Sequence, residues 1–250
     1  MAALVLFLAV GAPAQTANAL SDAEIKGREL ARQLCDARPD TNFSQSGILK
    51  IREEDGNTTN ISVSFQTLVM PEDWQTTCRA KHAPDSIPFA ILQVIHRIGQ
   101  PNRCVFSEEA DGLVATGPIP TTILKGNQTM IPFAGSDFWI ADLGLEFFHW
   151  PEQKILPNPT SLKCGRSYTL LESTNPNPST NGYSRVLSWI DKETGGILEA
   201  EAYDARGKLL KIFEPKEFKK VNGQWELQEM EIRNVQTGSR TSIVFDLDGK

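Results

Sequence analysis

The 250-residue sequence has few of the residues that bind metals or carry covalent catalysis. It contains three histidines and four cysteines, and His82, His96 and His149 lie far apart along the chain. An H-E-x-x-H zinc motif, a G-x-S-x-G nucleophile elbow, a Walker A loop and a G-x-G-x-x-G turn are all missing. We therefore predict a protein that is not an enzyme and has no catalytic residue, metal or cofactor.

Basic clusters and long apolar runs are also missing. The net charge is −6, and lysines and arginines never gather into the patch that a nucleic-acid phosphate backbone requires. Beyond the first 19 residues no apolar stretch is long enough to span a bilayer. These absences exclude a nucleic acid as partner and limit any membrane contact to a peripheral one.

The first 19 residues carry no charge. They contain a continuous apolar run at 3–10, and the small residues Ala17, Asn18 and Ala19 come directly before Leu20. This pattern is typical of a secretory signal peptide. The alternative, an uncleaved anchor, is disfavoured because the apolar run is too short to cross a membrane. We predict that residues 1–19 are a signal peptide and that residues 20–250 form a single domain.

The mature chain keeps four cysteines, Cys35, Cys78, Cys104 and Cys164. An even number of cysteines in an exported protein indicates disulfides, here two. Four cysteines allow three pairings, and the sequence does not choose among them.

The C-terminal third predicts an antiparallel β-meander. Strand-like segments alternate with turns that contain glycine or asparagine, the residues that tight hairpins require. The predicted strands are 184–190, 197–203, 208–213, 225–234 and 241–247. In the fourth strand, Trp225 and Leu227 share one face while Met230 and Ile232 share the other, which indicates a bulge near Gln228 or burial of both faces.

The N-terminal half predicts one helix followed by more strands. Ser21 and Glu24 have the spacing of a capping box, and Pro39 ends the amphipathic pattern that follows. The period then changes to two, which predicts strands at 47–52, 60–68, 74–80, 89–98 and 103–107. The fold class is therefore mainly β, with α and β elements in one domain.

Aromatic residues concentrate in the segment 133–150. It holds four of the 12 phenylalanines and two of the five tryptophans. Ser136 is a suitable N-cap and Pro151 prevents continuation, so we predict a helix at 137–148 that is apolar on two sides. Such a helix either packs as a core helix against the sheet or closes over an apolar cavity.

Within this segment, residues 135–143 resemble the G-S-D-F-[S/T]-x-E-D-L signature of the LolA-like outer-membrane lipoprotein-sorting superfamily. The residues here are Gly-Ser-Asp-Phe-Trp-Ile-Ala-Asp-Leu. Segments 163–173, 183–191 and 202–211 are similar to strands of the same superfamily. Two positions depart from the signature: Trp139 replaces a small Ser or Thr, and Ala141 replaces a Glu.

The resemblance implies a half-open antiparallel β-barrel, LolA/LolB-like, whose concave apolar face is covered by helices and holds acyl chains. It implies a periplasmic carrier for lipid or lipoprotein, with residues 133–150 as a lid. The candidate cavity and lid residues are Phe133, Phe138, Trp139, Leu143, Phe147, Trp150 and Trp189. The alternative is an envelope sensor or interaction module that binds an envelope protein. A continuous apolar cavity favours the carrier, and a filled core with an exposed groove favours the module.

Overall fold

A computed structural model describes residues 19–109 and 120–247, so the predicted signal peptide lies outside the described residues except for Ala19. Within these ranges, 13 strands form one antiparallel sheet. No helix of the described part combines the length and the apolarity that a membrane span needs.

The helices are α1 (Asp22–Cys35) and α2 (Ile140–Leu143), and Gly126–Thr129 and Glu146–His149 form 3₁₀ turns. The first strands are β1 (Phe43–Arg52), β2 (Thr58–Val69), β3 (Asp73–Lys81), β4 (Ala90–Arg97), β5 (Arg103–Glu108) and β6 (Thr121–Leu124). The remaining strands are β7 (Glu152–Leu156), β8 (Tyr168–Thr174), β9 (Tyr183–Asp191), β10 (Ile197–Asp204), β11 (Leu209–Val221), β12 (Gln224–Asn234) and β13 (Arg240–Phe245). Their order in the sheet is β6-β5-β4-β3-β2-β1-β13-β12-β11-β10-β9-β8-β7.

The sheet is curved, because Thr76 of β3 and Val186 of β9, seven strands apart in the sheet, line the same cavity. It is also open, because within the described residues its outermost strands, β6 and β7, do not pair with each other. Successive side chains of a strand point to opposite faces, and the buried apolar residues of every second position line the concave face. Leu49 opposite Ile243 and Phe213 opposite Ile232 are examples in the central strands. The predicted mainly-β, half-open architecture is thus confirmed, although fewer helices cover it than expected.

Helix α1 covers the β7 edge of the sheet. The Ser21 hydroxyl accepts from the Glu24 amide and the Glu24 carboxylate accepts from the Ser21 amide, so the predicted capping box is present. Gly27 lets the helix approach the backbone of β7, because a Cβ at this position would lie 2.5 Å from the Lys154 nitrogen. The helix therefore shields the β7 edge from further pairing.

The five-strand meander is confirmed, as is the bulge in its fourth strand. Glu217 pairs with Glu229 and the next residue, Phe218, pairs with Leu227, so Gln228 is the extra residue. A second shift places an extra residue at Lys216 in β11. Strands β6 and β7 form from segments in which we predicted no strand.

The predicted disulfides are absent, and all four cysteines are free thiols. Cys78 lies on β3 and Cys104 on β5, with β4 between them. Strands two apart in a sheet are separated by about 9.6 Å, whereas a disulfide needs Cα atoms within about 7 Å. Cys35 ends α1 and Cys164 is exposed in the connection between β7 and β8.

The predicted helix at 137–148 is also wrong. Pro132 and Trp139 form an isolated β-bridge, and only Ile140–Leu143 is α-helical. Ser136 is not the N-cap; its hydroxyl accepts from the Phe138 amide instead. Leu145 has φ of +50°, a left-handed conformation that interrupts the helix. The segment changes direction because it buries apolar side chains in two separate clusters, and this tertiary packing overrides local helix propensity.

Candidate functional site

An apolar cavity of about 320 Å³ lies between the concave face of the sheet and the segment 133–150, which we call the lid. The sheet contributes Phe43, Gln45, Phe65, Thr76, Val186, Ile197, Ala200, Ala202, Lys211, Phe213, Met230, Ile232 and Phe245. The lid contributes Phe138, Asp142, Leu143, Leu145 and Phe147. Aliphatic and aromatic side chains dominate this lining, so the cavity suits a ligand that makes few hydrogen bonds.

A buried ionic contact joins the lid to the sheet at the edge of this cavity. The Lys211 ammonium on β11 donates to the Asp137 carbonyl at 2.6 Å and lies 3.7 Å from an Asp142 carboxylate oxygen. It also lies 3.6 Å from the centre of the Trp139 ring, a cation–π contact. One cation thus contacts three positions of the lid.

Asp142 is held by further hydrogen bonds. It accepts from the Trp139 amide at 2.8 Å and from the Tyr183 hydroxyl at 3.0 Å. The Trp139 ring stacks on the Tyr183 ring, with centroids 4.5 Å apart and planes inclined by 16°. Asp142, Lys211, Trp139 and Tyr183 therefore form one connected network, which we call the clasp.

Burial perturbs the acid–base properties of the clasp. Burial lowers the pKa of Lys211 to about 8, against the opposing effect of Asp142 and Asp137. Burial likewise raises the pKa of Asp142, although Lys211 opposes the rise. The pKa of Tyr183 is raised by burial and then by the neighbouring Asp142. All three pKa values shift in the direction that desolvation causes, and the attraction between Lys211 and Asp142 offsets the shifts of these two groups only in part.

The N-terminal part of the lid is fixed to β13 and the turn before it. The Asp137 carboxylate accepts from the Ser239 hydroxyl at 2.6 Å and from the Thr241 hydroxyl at 2.9 Å. The Asp137 amide donates to the Thr241 hydroxyl at 3.0 Å. Asp137, which the sequence indicated as a first-turn residue of a helix, instead ties the lid to the sheet.

The C-terminal part of the lid is fixed by amide side chains. Gln153 donates to the Phe147 carbonyl at 2.9 Å and to the Trp150 carbonyl at 3.0 Å. Its own carbonyl accepts from the Ser173 hydroxyl at 2.7 Å. Asn102 donates to the Gly144 carbonyl at 2.7 Å. These bonds satisfy lid carbonyls that the interrupted helix leaves without partners.

A small group of titratable side chains lies behind the lid. His96 stacks on Trp74 with centroids 5.0 Å apart, and burial lowers its pKa to about 4. Burial raises the pKa of Glu146, whose carboxylate lies 3.5 Å from the Cys104 sulfur. In the described ranges no three His, Cys, Asp or Glu side chains are arranged to hold a metal ion.

The structure separates the seven predicted site residues. Phe138, Leu143 and Phe147 line the cavity. Phe133 is buried beside Phe106 in the core, and Trp139 belongs to the clasp. Trp150 packs against Phe147 and α1, outside the cavity lining. Trp189 lies in a separate cluster with Tyr168 and Leu170.

Sequence reasoning missed Lys211. The signal was present, because Lys211 occupies the same strand face as Phe213, an inward position where a lysine is unusual.

Comparison with solved structures defines the class of this fold. A DUF1329 family protein from Desulfovibrio piger matches with a TM-score of 0.69 and 18% identity, over 91% of this chain and 92% of that chain. An outer membrane lipoprotein-sorting protein domain from Vibrio parahaemolyticus gives 0.66 and 19%, over 89% and 91%. A LolA superfamily protein from Nitrosomonas europaea gives 0.57 and 14%, over 90% and 92%. The resemblance predicted from the sequence is thus confirmed, and the chain has a LolA-type fold.

Sequence comparison adds the family. A family whose description reads "Uncharacterized protein" has a model that matches residues 121–247, just over half of the chain, and the chain belongs to this family. The matched region runs from β6 through the lid to the end of β13. None of the curated proteins matches the chain.

Proposed function

We propose that this protein is a non-enzymatic periplasmic carrier that holds an acyl chain of a lipid or lipoprotein under its lid. The observation that carries this proposal is the cavity of about 320 Å³ lined by aliphatic and aromatic side chains from both the sheet and the lid. A cavity of this kind, rather than a filled core, was the feature that separates a carrier from an interaction module. The solved outer membrane lipoprotein-sorting domain from Vibrio parahaemolyticus with the same fold supports the same choice.

The size of the cavity limits the ligand. If a methylene group occupies about the 30 Å³ that one water molecule takes in the liquid, about ten methylene groups fill the cavity. At roughly 0.8 kcal/mol per buried methylene the gross gain is about 8 kcal/mol. The cost of association takes up much of this gain, so binding is reversible, as a carrier requires.

The polar lining supports a role without catalysis. Of the described residues that line the cavity, Lys211 and Asp142 are the ionisable ones, and they are paired with each other. The Lys211 ammonium also donates to the Asp137 carbonyl, which fixes its position. A general base or nucleophile has to reach a substrate atom within hydrogen-bonding distance, whereas these groups are occupied by the lid.

The test is to purify the protein from the periplasm without detergent and measure bound lipid by mass spectrometry. Ala200 lines the cavity and is 7% exposed, so Ala200→Leu fills part of the space. We expect bound acyl lipid in the wild type and a clear decrease in Ala200→Leu. Ala83→Leu, the same change at an exposed loop position, is the matched control and should keep the wild-type amount.

A folded wild-type protein that carries no lipid and binds no added fatty acid contradicts the carrier proposal. Equal lipid content in the wild type and Ala200→Leu contradicts the placement of the ligand in this cavity. Circular dichroism and thermal melting establish that the wild type and Ala200→Leu are both folded.

A further inference from the structure

The apolar cavity opens to solvent at one end of the concave face. Of the described residues that line it, Phe43 is 46% exposed and Leu145 is 40% exposed, and the others are buried or half-buried. Phe43 is the first residue of β1, and Leu145 follows α2 in the lid. A side chain that lines a cavity and also faces solvent marks the point at which the cavity reaches the surface. We call the opening at these two residues the mouth.

Pairing in the sheet places both residues at the same end of the cavity. Phe43 lies opposite Thr67, and Thr67 lies opposite Thr76, so the three side chains share the concave face. Leu145 also borders a second cavity of about 130 Å³, which Trp74 lines as well. Trp74 and Thr76 are two residues apart on β3 and therefore share a face. The lid side and the sheet side of the mouth thus both lie near the start of β3.

The clasp lies at the other end of the concave face. Lys211 is two residues before Phe213 on β11, and Phe213 lies opposite Ile232. Ile232 lies opposite Thr241, which in turn lies opposite Ile51. Ile51 is near the end of β1, whereas the mouth is at the start of this strand. A ligand that enters at the mouth therefore passes the apolar lining before it reaches the Lys211 ammonium.

Leu145 has space to move and few contacts that hold it. Its φ of +50° is left-handed, a conformation that costs free energy in a residue other than glycine. Its amide donates to the Asp142 carbonyl at 3.3 Å, which is long for such a bond. Its side chain borders the apolar cavity and also the second cavity behind the lid. The Leu145 side chain can therefore leave the mouth and enter a space that is already present.

On the basis of the carrier function, we propose that Leu145 is the gate of the mouth and that an acyl chain enters there with its methyl end first. A buried carboxylate needs a cation, and the cation of the lining is Lys211. Its ammonium already contacts the Asp137 carbonyl and the Asp142 carboxylate, and Asp142 would repel a second carboxylate. The polar end of the ligand therefore stays in solvent at the mouth. The substrate class is an acyl chain with a charged or a neutral polar end.

Two fluorescent probes test the orientation of the ligand. One is a dodecanoyl chain with a dansyl group at its polar end, and the other is undecanoic acid with a dansyl group at its methyl end. We expect the first to bind roughly tenfold more tightly, because its dansyl group stays outside the cavity. Dodecanoic acid and dodecanol should displace it with Kd values within about threefold of each other. Tighter binding of the methyl-labelled probe, or a larger preference for the acid, overturns entry by the methyl end.

Stopped-flow fluorescence with the first probe tests the gate. Leu145→Trp narrows the mouth, so entry and release should slow together by about tenfold while Kd changes by less than about threefold. Both rates change because a gate alters the barrier and leaves the bound state as it is. Phe43→Ala widens the mouth from the sheet side and should speed both steps. Leu162→Trp, at a position 52% exposed and outside the cavity lining, is the matched control and should keep the wild-type rates.

The outcomes separate the gate from the carrier function. Wild-type rates in both Leu145→Trp and Phe43→Ala overturn the gate, as does a change in Kd without a change in rates. Phe43 is exposed, so Phe43→Ala keeps the test valid if Leu145→Trp fails to fold, which circular dichroism reveals. A wild type that binds neither probe contradicts the carrier function and the gate together. Probe binding with unchanged rates in the mouth variants contradicts only the gate.

Discussion

Removing the Lys211 ammonium tests whether the clasp holds the lid. The variant Lys211→Met keeps a long unbranched side chain but deletes the cation. Asp142, whose side chain is 13% exposed, then stays buried without its partner. Breaking a buried pair by removing one partner costs about 3–5 kcal/mol, and we expect a loss of unfolding free energy in this range.

The double variant Lys211→Met, Asp142→Asn separates charge from packing. The asparagine introduced by the second change can accept the Trp139 amide proton with its carbonyl and can donate to the Tyr183 oxygen. The hydrogen bonds that Asp142 makes can thus be replaced by similar ones. Replacement of both members of a buried pair is often neutral. We therefore expect the double variant to recover most of the stability that Lys211→Met loses.

Urea unfolding gives the free energies, provided that the slope with denaturant is the same for all variants. A loss of 3–5 kcal/mol corresponds to a decrease in Tm of roughly 10 °C for a domain of this size. If Lys211→Met is as stable as the wild type, the contact between Lys211 and Asp142 does not hold the lid. If the double variant is as unstable as the single one, the loss arises from the bond to the Asp137 carbonyl or the contact with Trp139 and not from an unpaired charge.

Three further predictions concern the thiols, a buried histidine and the packing of α1. Without reductant, the denatured protein should react with a thiol reagent at four sites per chain, and fewer than four sites would mean that a disulfide forms. The folded protein should react first at the exposed Cys164. The pKa of His96 is about 4 in the folded protein and 6.5 in the unfolded chain, so between these pH values the unfolded state binds the extra proton. The free energy of unfolding should therefore fall as the pH decreases from 6.5 to 4, by up to roughly 3 kcal/mol. Urea titrations of His96→Gln should show a weaker pH dependence than the wild type, and an unchanged dependence would contradict this prediction. Gly27→Ala should destabilise the protein by about 1–2 kcal/mol, because the added Cβ would lie 2.5 Å from the Lys154 nitrogen. This cost should exceed the gain from the better helix propensity of alanine. Lys26→Ala, at an exposed position of the same helix, is the control, and a stabilised Gly27→Ala would refute the close packing of α1 on β7.

The strands were predictable where glycine or asparagine turns separate alternating segments. The meander at 183–245 has both signals, and the bulge at Gln228 could be inferred because the apolar residues change face along β12. The short strands β6 and β7 could not, since neither Thr121–Leu124 nor Glu152–Leu156 alternates clearly. Their pairing depends on β5 and β8, which lie beside them in the sheet.

The lid shows why the aromatic content was informative and the predicted helix was wrong. The density of Phe and Trp indicated a segment buried on two sides, and the structure places Phe138 in one cluster and Phe148 in another. A continuous helix was the simplest way to bury both. The actual backbone turns at Gly135 and Leu145, both with positive φ, and takes its hydrogen bonds from side chains such as Gln153 and Asn102. These partners are distant in sequence, so no local pattern reveals them.

The disulfide prediction failed for a related reason. Cysteine number and the predicted export indicate which thiols could be oxidised, but pairing requires that Cα atoms come within about 7 Å. Strand order decides this distance, and β4 lies between the strands of Cys78 and Cys104. Burial also raises the pKa of the Cys35 thiol to about 12, which keeps it in the unreactive protonated form.

The clasp combines two properties that a lid over an apolar cavity needs. Apolar packing alone would hold the lid equally well in several positions, because contacts between hydrocarbon side chains have little directional preference. The Lys211 ammonium instead contacts Asp137, Trp139 and Asp142 at fixed distances, so the closed position is specified. A buried ion pair adds little net stability, since desolvation offsets most of the attraction. The clasp therefore specifies one position of the lid with little net stabilisation of its own, and the acyl chain that we propose as ligand would contribute the rest of the free energy that keeps the lid closed.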